Sequence, residues 1–126
     1  MIKVYCIGNP YVEGDTLALK LADVIQVDGF ELVKCYKPEH IDFDDEVVVL
    51  DVVKGIQDVK VIEDLSTLAK HRMLSAHDFD FGAYLRLLMK LGMIERVTLI
   101  GVPANMKPSE AKQRVERLLK KLKSQL

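Results

Sequence analysis

Glu46-Val47-Val48-Val49-Leu50-Asp51 is the stretch from which the fold is read. Four apolar residues in a row, three of them β-branched, suit a strand buried on both faces, as in a parallel sheet covered by helices. The aspartate that closes the run is out of character. Asp is a poor strand residue and costly to bury without a partner, so its place predicts a carboxylate facing the mouth of the sheet. In open α/β sheets that mouth, at the carboxyl ends of the strands, is where ligands bind.

Outward from this strand, residues 1–7 read as a first strand stopped by the turn cluster Gly8-Asn9-Pro10. Gly14-Asp15-Thr16 leads into a helix whose stripe is Leu17, Leu21, Val24 and Ile25, with Gly29 ending it near Asp28. Residues 30–36 form a second strand, followed by a solvated acidic loop carrying His40, Asp42, Asp44 and Asp45. Beyond Asp51 the chain turns at Lys54-Gly55 into a short strand, 59–62, too close to the preceding one for a parallel crossover. That pair is expected to be antiparallel. A helical turn at Leu65, Leu68 and Ala69 and an irregular stretch with His71 lead to His77. Asp78 or Asp80 then caps a helix with Phe81, Tyr84, Leu85, Leu88 and Leu91 on its apolar face and Gly92 as its stop. Residues 96–100 are the last strand and 101–108 a loop. Ser109 caps a final helix whose core face is Ala111, Val115, Leu118, Leu119 and Leu122. The alternation predicts one α/β domain spanning 1–126, a three-layer sandwich with a mostly parallel, mixed sheet of about five strands and helices on both faces.

Composition narrows the function. Forty-nine per cent hydrophobic and 29% charged residues over 126 positions suit a single compact domain. Eighteen basic against 19 acidic side chains leave a formal charge of −1, which lacks the footprint of a nucleic-acid binder. The basic run from Lys112 to Lys123 reads as the wet face of a helix. No apolar run approaches the roughly 20 residues of a membrane span, and the opening residues lack a signal-peptide pattern. A cytoplasmic monomer is expected. Cys6 and Cys35 lie in separate apolar runs without a paired motif, which points to buried thiols.

Three groups stand at element boundaries: Asp15 before the first helix, Asp51 at the end of the central strand and His77 before the third helix. Two carboxylates and an imidazole form a donor set for a divalent transition metal with positions left open for substrate or water. Each also has an ordinary reading, Asp15 as a helix cap, Asp51 as a turn-former and His77 as a loop histidine. The glycine patterns of dinucleotide and P-loop sites are missing, as is G-x-S-x-G.

With their neighbours, the three positions resemble the hydrogenase maturation endopeptidases, which trim the carboxyl-terminal tail of the nickel-bearing large subunit of [NiFe] hydrogenases. Gly8-Asn9-Pro10-Tyr11-Val12-Glu13-Gly14-Asp15 is similar to that family's G-N-x(4)-[DG]-[DE] signature, whose final acid is a metal ligand. Val47-Val48-Val49-Leu50-Asp51 matches the strand bearing the second acid. Ser75-Ala76-His77, a helix ending Lys90-Leu91-Gly92, and Val97-Thr98-Leu99-Ile100-Gly101-Val102 match the histidine, helix and "L-I-G-I" strand. The resemblance implies a metal-recognising, aspartic-type endopeptidase in which Asp15, Asp51 and His77 are both the metal ligands and the catalytic set. It further implies that the metal is nickel presented by the substrate, a hydrogenase large-subunit precursor, with no permanently bound cofactor. A different class also fits Asp51 taken alone: a non-enzymatic α/β signalling or partner-binding domain with an acidic pocket at the end of its central strand.

Overall fold

The computed structural model describes residues 1–11, 16–36, 41, 46–62, 87–88, 90–93 and 96–125. Five strands and two helices are delimited within them: β1 (Ile2–Ile7), α1 (Leu17–Val24), β2 (Phe30–Cys35), β3 (Glu46–Val53), β4 (Lys60–Ile62), β5 (Arg96–Pro103) and α2 (Pro108–Lys123). The strands form one mixed sheet in the order β2-β1-β3-β5-β4. β1, β2, β3 and β5 are parallel, and β4 runs antiparallel at one edge.

Strand periodicity assigns the two faces. Val48, Leu50 and Val52 of β3 join Val4, Cys6, Ile100 and Val102 under α1 and α2, which contribute Leu17, Leu21, Ala111, Val115 and Leu119. Val47 and Val49 face the other way with Tyr5, Ile7, Val97 and Leu99. Leu88 covers that second face, so the fold is an α/β sandwich built on both sides of the central strand, as the double-sided apolar run requires. Leu91, in contrast, is exposed. The helical segment ends as its sequence predicts: Met93 N–H donates to the Leu88 carbonyl at 3.0 Å and Gly92 takes φ +73°, the left-handed closure that glycine adopts without a Cβ penalty. Phe81, Tyr84 and Leu85 lie outside the described residues. Cys6 and Cys35 are both buried thiols, one in each face's core.

Beyond the exposed Leu91, the structure differs from the sequence expectation in four places. The short strand is antiparallel as expected, but its partner is β5, which inserts between β3 and β4. β5, with Val97, Leu99, Ile100 and Val102 buried across its two faces, suits the interior, whereas β4, three residues with an exposed Lys60, suits an edge. β3 and β5 each continue past their expected ends, because Asp51, Val52 and Val53 pair with Gly101, Val102 and Pro103. α1 stops at Val24, where Ile25 turns extended with ψ 129°, leaving Val24 half-exposed. Gly29, at φ +91°, serves the turn into β2 instead, its carbonyl accepting the Ile2 N–H at 2.9 Å. α2 begins one residue before Ser109, with Lys107 at the N-cap position and Pro108 in the first turn, where its missing N–H costs nothing. Its core face is as expected, with Ala111, Val115 and Leu119 fully buried and Leu118 and Leu122 packed beside them. No described helix is long and apolar enough to cross a membrane.

Candidate functional site

In this strand order the direction of winding reverses between β1 and β3, and the carboxyl ends there define the crevice where open α/β sheets take ligands. Asp51 lies on β3 at that crevice. Its Cα is paired with Gly101 on β5, and it stands one step past the Cys6 and Leu50 pair, level with the last residue of β1. Asp51 and Thr98 are the buried polar side chains among the described residues, and Asp51 is the charged one, at 7% exposure. A buried carboxylate requires hydrogen bonds, and its Oδ1 accepts the Val52 N–H at 2.8 Å.

The strand neighbour that carries no side chain shapes the space beside this carboxylate. A Cβ at Gly101 would lie 3.2 Å from Ile56 Cδ1 and 3.3 Å from both Ile62 Cδ1 and Val53 Cγ2. The β5 side of Asp51 is therefore a close-fitting apolar wall. Local pattern placed Gly101 in a loop while the family resemblance put it in the "L-I-G-I" strand, and neither gave it a role; a glycine inside an apolar β-branched run is the available sign of a close approach.

On the other side, β1 and β2 end together at the Ile7 and Cys35 pair, so that Gly8 and Tyr36 leave the sheet side by side. With Asn9, Pro10 and Tyr11 they line a cavity of about 410 Å³. The loop is held by its own asparagine, whose Oδ1 accepts the Tyr11 N–H at 3.0 Å, a turn that the Gly8-Asn9-Pro10 cluster predisposes. Neither tyrosine was marked by sequence reasoning, since nothing local distinguishes a site aromatic from any other loop aromatic.

Of the three predicted ligands, Asp51 is the one within the described residues; Asp15 and His77 lie outside them. Among the described residues no group of three or more His, Cys, Asp or Glu side chains comes together. The N-cap position of α1 falls on Thr16, which makes no side-chain capping bond. On the opposite face of the sheet from Asp51, burial pushes the Cys6 thiol up to about 12, aided by Cys35, which makes it a poor nucleophile.

No family model matches the sequence, and no curated protein matches it. Solved structures do match. The chain is similar to the [NiFe] hydrogenase maturation protease HybD from Thermococcus kodakarensis, with a TM-score of 0.71 and 18% identity over 96% of this chain and 97% of that one. It is similar to the hydrogenase maturating endopeptidase HybD from E. coli, with a TM-score of 0.69 and 16% identity over 98% and 93%. The endopeptidase HycI from Escherichia coli gives a TM-score of 0.67 and 17% identity over 93% and 88%. Coverage of most of each chain in both directions shows a shared fold: the chain has the fold of the hydrogenase maturation endopeptidases.

Proposed function

We propose that this protein is a hydrogenase maturation endopeptidase that removes the carboxyl-terminal tail of a nickel-loaded [NiFe] hydrogenase large-subunit precursor. The observation that carries this reading is the buried carboxylate of Asp51 at the β1 and β3 crevice of a fold shared with such proteases. The Gly8-Asn9-Pro10 turn beside it supports the match of the amino-terminal signature. The mixed sheet weighs against the signalling alternative, because the flavodoxin-like order of receiver-type domains is 2-1-3-4-5, whereas here β5 takes the fourth place and β4 reverses.

In this reading Asp15, Asp51 and His77 meet the nickel that the precursor carries, two oxygen donors and one nitrogen donor suited to a borderline divalent ion. Nickel is thus part of the substrate. The residues of this chain anchor the precursor through its metal and hold the scissile amide beside the carboxylates, a positioning role. Hydrolysis adds one water across that amide: its oxygen bonds to the carbonyl carbon, the carbon–nitrogen bond breaks, and a proton passes to the departing amine. His77 must be neutral to bind metal, so recognition weakens in acid.

Intact mass measured on nickel-loaded and nickel-free precursor after incubation with the protein tests the proposal. Loss of a tail from the loaded precursor alone supports it. An unchanged mass in both overturns the peptidase, and equal cleavage of both overturns recognition through nickel.

A further inference from the structure

The cavity beside the Gly8-Asn9-Pro10-Tyr11 turn is not used by the metal-recognition scheme, yet it opens on the same edge as Asp51. Its lining among the described residues is Gly8, Asn9, Pro10, Tyr11 and Tyr36, a set that includes two tyrosines, a proline and an asparagine. Tyr11 is 94% exposed and Tyr36 43% exposed, so both rings are kept at the surface and not spent on the core. Aromatic and proline surfaces flanking a polar amide are the chemistry by which extended peptide segments are gripped: rings take an apolar side chain, and an amide meets the peptide backbone. Asn9 is suited to that part because its Oδ1 is fixed on the Tyr11 N–H, which sets the orientation of the carboxamide. At about 410 Å³ the cavity lies towards the small end of ligand pockets, roughly 300–1,000 Å³, room for a short peptide stretch and not for a docked helix.

The register gives its distance from the reacting centre. β1 and β2 lie one and two strands from β3, and strands are spaced about 4.8 Å apart, so the cavity stands roughly 5–10 Å from the line of Asp51. A peptide crossing the carboxyl edge at about 3.3 Å per residue covers that span in two or three residues. We infer that Tyr11, Tyr36 and Asn9 form a specificity subsite that holds an apolar side chain of the substrate two or three residues from the scissile bond. The inference rests on the proposed peptidase activity and adds to it a determinant that is independent of the metal. Nickel then selects the maturation state of the precursor, and the tyrosine cleft selects the sequence beside the cut.

The test combines precursor kinetics with direct peptide binding. Both rings are surface groups, so the double variant Tyr11→Ala/Tyr36→Ala should keep the wild-type circular dichroism and melting temperature. With nickel-loaded precursor it should raise KM about tenfold, the scale of a lost aromatic contact, with kcat within about twofold. An unchanged KM with the precursor still cleaved would overturn the subsite. For the second measurement, the sequence has no tryptophan, so Tyr36→Trp supplies a single emitter inside the cleft. Its emission is titrated with extended decapeptides carrying one central Leu, Phe or Ala. If wild-type protein fails to cleave the precursor, the peptidase reading falls and this titration decides the cleft by itself. Saturable shifts with the Leu or Phe peptides and none with Ala uphold it; no shift with any peptide, or equal shifts with all three, overturns it.

Discussion

Replacing Gly101 by alanine probes the wall beside Asp51 with the smallest possible change. The added Cβ meets three methyl groups at 3.2, 3.3 and 3.3 Å, where carbon contacts settle at about 3.5–4.0 Å. Two of these are the ends of isoleucine side chains and can withdraw by a few tenths of an ångström; Val53 Cγ2 is fixed to a β-branched strand residue and cannot. Overpacking of this kind costs about 1–3 kcal/mol, and the lower half applies because Ile56 belongs to the turn after β3 and can shift. Removing glycine's excess unfolded-state freedom returns about 0.5–1 kcal/mol. The net expectation is a loss of about 1 kcal/mol, a fall in melting temperature of roughly 3–5 °C for a chain of this size. Urea unfolding followed by circular dichroism reads it, and Ile56→Val supplies the control, since it deletes the nearest methyl. In that background Gly101→Ala should cost at least about 0.5 kcal/mol less than in wild type. A neutral Gly101→Ala, or strictly additive effects in the two-residue cycle, would refute the claim that the wall is closed against this position.

Three other perturbations bear on the site and its frame. Asp51→Asn keeps an acceptor for the Val52 N–H and should stay within about 0.5 kcal/mol of wild type while losing cleavage; Asp51→Ala should lose cleavage and a further ~1 kcal/mol, which urea titration separates. Cys6 keeps its proton in the folded chain up to about 12, whereas the unfolded thiol releases it near 9.0. The unfolded state therefore binds fewer protons between those values, and stability should fall by about 1.4 kcal/mol per unit as pH rises through that window. Cys6→Ala should remove that component of the alkaline slope in denaturant titrations. His77→Ala should abolish binding of zinc or cadmium in isothermal titration while His71→Ala retains it, and wild-type cleavage should decline as pH falls through the imidazole range near roughly 6.5. Equal metal affinity in wild type and His77→Ala would exclude coordination through this residue.

Most of the layer architecture was legible in the sequence because it is carried by local periodicity. The double-sided run at Val47 to Leu50 announced a strand covered on both faces, and the stripe of Ala111, Val115 and Leu119 announced a helix, without reference to anything distant. What was not legible depended on partners. Periodicity ended the central strand at Asp51, ahead of the turn at Lys54-Gly55, and left Gly101-Val102-Pro103 in a loop because glycine and proline punctuate it, yet Val52-Val53 and Gly101-Val102-Pro103 each become strand through the other. The neighbour of β4 was hidden for the same reason: a short connection fixes the direction of the next strand but not whether a later strand will slip between the two. Val24 satisfied a helical stripe that the chain abandons one residue later, where Ile25 reaches the core from extended backbone and Val27 is buried after it.

The extra length of β3 changes what Asp51 can do. A carboxylate at the tip of a strand is a solvated group able to swing, and a passing cation gains little from it. Two further residues of ladder place Asp51 inside the sheet, at 7% exposure, with one oxygen held by the next N–H and a methyl-lined wall on the β5 side. Such a group has already lost part of its hydration on folding, so a divalent ion reaching it has less water to displace from it and a fixed oxygen to meet. Under the proposed function, nickel held by a precursor segment at the crevice meets an oxygen already oriented for it, and free zinc or cadmium meets the same oxygen in titration.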